Sequence, residues 1–90
     1  MNGYEKEKTS IPKIYEGEYR MCLILWENEP IRIAALARLC SEQLGWSRTA
    51  TYTVVKRLEE RGILETEKGS VRTRYTKEEV QSAEMATLFD

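Results

Sequence analysis

Apolar residues recur through the middle of this chain at helical spacing and, past residue 62, at the spacing of strands. Tyr19, Cys22, Leu23 and Trp26 stand at i, i+3, i+4 and i+7, and so do Thr51, Val54, Val55 and Leu58. Leu36, Leu39, Cys40 and Leu44 mark a third stripe between them. Three amphipathic helices are predicted. Asn28-Glu29-Pro30 ends the first, and the alternation Ile31-Arg32-Ile33 predicts a short edge strand before the second. Gly45 suits the left-handed position that closes the second helix, and Ser47 is placed to cap the third. Gly62 closes the third helix, with Leu58 and Ile63 set for the contact that accompanies a Schellman cap. The third helix therefore runs from Ser47 to Arg61, one tight turn after the second, and a buried Trp46 in that turn is expected to fix the angle between them.

The strand-like runs Ile63 to Glu67 and Ser70 to Tyr75 flank Lys68-Gly69, a turn dipeptide with glycine for positive φ. A hairpin is predicted, with Arg72 and Arg74 on one face of its second strand and Val71 and Thr73 on the other. Thr76 followed by Glu79 is the capping-box pattern of a last helix, only partly apolar at Val80, Ala83 and Leu88. The first helix has the weakest start: Tyr15 cannot cap as Ser or Asp would, and Gly17 costs about 1 kcal/mol relative to Ala.

The fold class that follows is mainly α with a small β-hairpin sheet, a winged helix-turn-helix of a three-helix core plus wing. Leu23, Trp26, Leu36, Leu39, Val54, Leu58 and Ile63 are expected to meet in one core. Residues 1–10 read as a flexible tail, 11–75 as the winged-helix domain entered by the extended Ile11-Pro12-Lys13-Ile14, and 76–90 as the start of a C-terminal helix.

Composition narrows the function by exclusion. Ninety residues at 41% hydrophobic make one small domain. No apolar run reaches the roughly 18 residues of a membrane span, and the charged start M-N-G-Y-E-K-E-K is unlike a signal peptide, which predicts a cytoplasmic chain with no membrane partner. Cys22 and Cys40 fall on apolar stripes and read as free, buried thiols. With no histidine and two distant cysteines, no metal and no cofactor are expected. No base stands beside a nucleophile and no glycine loop cradles phosphate, so neither an enzyme nor a small-molecule substrate is expected.

Charge adds what the pattern alone lacks. The net charge is −1, yet residues 46–74 carry seven Lys/Arg against four Asp/Glu, whereas residues 75–90 carry one against four. Within the basic segment, Thr49, Tyr52, Thr53 and Lys56 share one face of the third helix without a carboxylate. Such a face offers hydrogen-bonding groups, a methyl, a ring and a cation, which suits a DNA major groove. Arg72 and Arg74 on the hairpin would then touch phosphate beside that groove.

Several stretches match a known family by residue identity: I-P-K-I at 11 to 14, Glu18-Tyr19, L-W at 25 to 26, G-W-S at 45 to 47, T-Y-T-V-V-K-R-L-E-E-R-G-I-L at 51 to 64, and T-K-E-E-V-Q at 76 to 81. In these the chain resembles the penicillinase and methicillin-resistance repressors, the BlaI/MecI family. The resemblance implies a winged-helix domain followed by a helical dimerisation domain, with two subunits on a palindromic operator of double-stranded DNA. It also implies repression of β-lactamase and related resistance genes, relieved by proteolysis after a membrane receptor senses a β-lactam. The recognition helix maps onto Ser47 to Arg61, with DNA-facing positions at Arg48, Thr49, Tyr52, Thr53 and Lys56, and the wing maps onto Lys68 to Arg74. Ser47 and Arg57 complete the expected set of DNA-binding residues. Tyr15 and Ala50 depart from the family pattern, which has a serine at the first position and a hydroxyl residue at the second. Because the chain ends at Asp90, where dimerisation helices would begin, a weak homodimer formed on DNA is expected. A different class of function is a winged-helix module that holds a protein partner through Tyr52 and the wing; the acid-free face of the third helix favours DNA.

Overall fold

The computed structural model describes residues 11–89, with side chains through Ala83. The tail expected over residues 1–10 lies outside the described residues. Among the described residues four helices, α1 (Glu16–Asn28), α2 (Ile33–Leu44), α3 (Arg48–Glu60) and α4 (Lys77–Phe89), accompany three short strands, β1 (Ile31–Arg32), β2 (Leu64–Glu67) and β3 (Ser70–Thr73). The strands form one antiparallel sheet in the order β1-β3-β2, pairing Ile31 with Val71 and Leu64 with Thr73. The predicted edge strand and hairpin are therefore one sheet, and the mainly helical winged helix-turn-helix is present.

Helix boundaries fall where their chemistry places them. The Ser47 hydroxyl accepts from the Ala50 N–H at 3.0 Å, and Gly45 at φ +73° closes α2. Gly62, at φ +77°, lets its own N–H reach the Glu59 carbonyl at 3.0 Å and the Ile63 N–H reach the Leu58 carbonyl at 2.8 Å. These two bonds make the Schellman cap. Thr76 and Glu79 exchange both capping-box bonds, at 2.8 and 3.0 Å, so α4 begins as expected.

The core joins Ile14, Met21, Cys22, Leu25, Leu36, Cys40, Val55, Leu58, Ile63, Leu64, Val71 and Val80. Leu36, Leu58 and Ile63 are buried as expected, while Trp26, Leu39 and Val54 are half-buried and pack against the cluster. Leu23 is a correction. It lies half-buried outside the core, because the inward stripe of α1 is Glu18, Met21, Cys22 and Leu25, one residue earlier than the apolar pattern suggests. The first member of that stripe is a carboxylate, paired as described below. Tyr19 and Trp26 flank it edge to face, 5.8 Å apart. Trp46 is also half-buried, and it rests on the start of α1: a methyl group at Gly17 would sit 3.8 Å from its ring. Cys22 and Cys40 are free and buried. Burial, helped by the charges of Glu18 and Glu29, pushes the Cys22 thiol up to about 12 and makes it inert.

Candidate nucleic-acid interface

Helix α3 has two unlike sides. Thr51, Val55 and Leu58 are buried and Val54 half-buried, whereas Arg48, Thr49, Tyr52, Thr53, Lys56 and Arg57 are exposed. At about 100° per residue, Thr49, Tyr52, Thr53 and Lys56 occupy an arc centred nearly opposite the buried stripe, with Arg48 and Arg57 on its two rims. The side facing away from the core therefore carries no carboxylate until Glu59 and Glu60 at its end. Ser47 stands at the helix start with its oxygen accepting from Ala50, which leaves its O–H free to donate outward. Arg57 lies toward α1, where its charge reaches Glu18.

The wing is built differently. Lys68 at φ +53° and Gly69 at φ +83° form a two-residue turn of the type that matches strand twist. Val71 and Leu64 point to the core, so their neighbours Arg72 and Glu65 share the outer face directly opposite one another. They form an ion pair, and Arg72 therefore does not present a free cation. Arg74 lies past the end of β3 with an exposed side chain that joins no ion pair among the described residues; its N–H extends the ladder to the Ile63 carbonyl at 2.8 Å. Lys68 is exposed at the tip.

Three anchors that sequence reasoning missed hold these elements in place. Glu29 accepts from both the N–H and the hydroxyl of Thr73, at 2.6 and 2.8 Å, and Trp26 donates its indole N–H to the Tyr75 carbonyl at 2.9 Å. Both tie the base of the wing to the end of α1. At the other end, Arg61 makes a bidentate pair with Glu18, at 2.8 and 2.9 Å, and also donates to the Lys13 carbonyl. Burial alone would push the Glu18 carboxyl up. Hydrogen bonds from Arg61 and the Tyr15 N–H, with the charges of Arg61 and Arg57, outweigh it and hold the carboxyl below the usual glutamate range. The only sequence signal for this clamp was Glu18 at the third position of a helix with a poor cap. Arg32 is also absent from the expected interface, although it is exposed on the edge strand beside the wing turn.

Among the described residues no cluster of His, Cys, Asp or Glu could hold a metal, and no helix is long and apolar enough to cross a membrane. The family model described as penicillinase repressor matches residues 16–90. The chain belongs to the penicillinase repressor family. That family is one of DNA-binding transcriptional repressors rather than enzymes, and the winged helix-turn-helix supplies the matching architecture. No curated protein and no solved structure matches the chain.

Proposed function

We propose that this penicillinase repressor family member silences transcription by reading a palindromic operator, with helix 47–61 in the major groove and wing 65–75 on the flanking phosphates. The observation that carries this reading is the exposed face of α3. Its hydroxyls, ring and cation lie opposite the stripe that packs into the core, so the helix offers them outward without loosening that core. Thr49, Tyr52 and Thr53 meet base edges or a thymine methyl, while Arg48, Lys56, Arg57, Lys68 and Arg74 neutralise phosphates. Arg72 joins them only by giving up Glu65. One such domain covers few base pairs, so two copies sit on half-sites about one helical turn apart.

The test is selection of bound duplexes from a randomised pool at moderate salt. Enrichment of an inverted repeat with that spacing is expected. A pool that stays random, or a chain retained by no duplex even at low salt, would overturn the reading and favour a module that holds a protein partner.

A further inference from the structure

The wing turn has a companion on the neighbouring strand. Arg32 pairs in register with Ser70, and the Ile33 N–H donates to the Gly69 carbonyl at 3.2 Å, so the junction of β1 and α2 is tied to the wing tip by backbone bonds. The pairing places Arg32 on the same outer face as Ser70 and Arg72, since Ile31 and Val71 point inward. Its guanidinium extends across the turn: a methyl group at Gly69 would sit 3.4 Å from Nη1. Arg32 and Arg72 are both exposed, but Arg32 joins no ion pair among the described residues.

We infer that Arg32 is a phosphate-binding residue of the wing, contributing a guanidinium from the edge strand to the DNA backbone contacted by Lys68 and Arg74. This rests on the proposed DNA-binding function and adds a residue from the edge strand, outside both the hairpin 65–75 and the recognition helix. The physical case is that a cation on a backbone anchored at two points is positioned before binding. A planar guanidinium also suits the two oxygens of a phosphodiester. Arg72, opposed by Glu65, cannot fill that role without breaking its own pair.

The contact is to phosphate, so any duplex reports it, and the experiment needs no operator. Binding of the full chain to a fluorescein-labelled duplex of mixed sequence is titrated over a range of salt concentrations. Arg32→Gln is expected to lower the slope of log K against log salt by about 0.9, one phosphate's worth, with an unchanged melting temperature. Arg32→Lys should keep the slope, and Arg20→Gln, which removes the same charge from a pair with Glu16 on α1, should leave it unaltered. A wild-type slope in Arg32→Gln would overturn the inference while leaving the DNA-binding function standing. Failure of the wild-type chain to bind duplex would overturn both.

Discussion

Helices α1 and α3 have the same length, 13 residues, and are clamped together by Glu18 and Arg61, yet they relate to the rest of the chain in opposite ways. Helix α3 carries its own start in Ser47, its own stop in Gly62, and a buried stripe that leaves the far side free. Helix α1 has an inward stripe as well, but a weaker start. Its cap residue, Tyr15, makes no side-chain capping bond, Gly17 weakens its first turn, and its start is fixed by the arginine that ends α3. Its last turn is in turn the anchor for the wing, through Trp26 and Glu29. Stability and recognition are thereby separated: changes in α1 should alter folding alone, and changes on the outer side of α3 should alter binding alone.

The largest expected effect removes what the two helices share. Leu58 is fully buried, and Leu58→Ala should cost about 2 to 5 kcal/mol, enough to threaten a domain of this size. An unchanged melting temperature would place the α3 stripe on the wrong side. Next comes the clamp. The folded-state pKa of Glu18 is depressed, so its contribution is present above the ordinary value of 4.5 and is lost as pH falls through the folded value. Glu18→Gln should cost about 1 to 2 kcal/mol near neutral pH and flatten the acid side of the stability profile. An unaltered profile from thermal melts across pH would remove the clamp from the picture. The smallest effect has the opposite sign. A methyl group at Gly17 meets only the Trp46 ring at ordinary contact distance, so Gly17→Ala should raise stability by about 0.5 to 1 kcal/mol and leave DNA affinity alone. A fall in melting temperature would show that the cleft beside Trp46 is tighter than it looks.

The same contrast explains what could be read from residues alone. Helix α3 was legible to the level of single caps, because Ser47, Leu58, Gly62 and Ile63 act within a few residues of one another. The capping box at Thr76 and Glu79 and the Lys68-Gly69 turn were legible for the same reason. The inward face of α1 was not, because its first member is a glutamate whose burial depends on an arginine 43 residues away. An apolar pattern therefore starts one position late, at Tyr19, and promotes Leu23 into a core it does not join. On the wing, alternation placed Arg72 on the outer face, but β3 ends at Thr73, before Arg74; the register that sets Arg72 against Glu65 follows from the two-residue Lys68-Gly69 turn, and it takes counting back across that turn, not alternation, to see it. Arg32 was invisible as an interface residue because its pairing is not local: only the pairing of β1 with β3 brings it to the wing turn.

The most direct test of the division of labour is a comparison of two variants on two duplexes, the operator recovered by selection and a duplex of mixed sequence, with affinities taken across salt. Thr53→Ala, on the exposed face of α3, should leave the unfolding free energy within about 0.5 kcal/mol of wild type and reduce discrimination between the duplexes, by about 1 kcal/mol or more at the base pair it meets. Arg74→Ala should weaken both duplexes alike and lower the salt slope by about one. Equal losses on both duplexes for Thr53→Ala, with discrimination intact, would contradict the assignment of α3 as the helix that reads sequence.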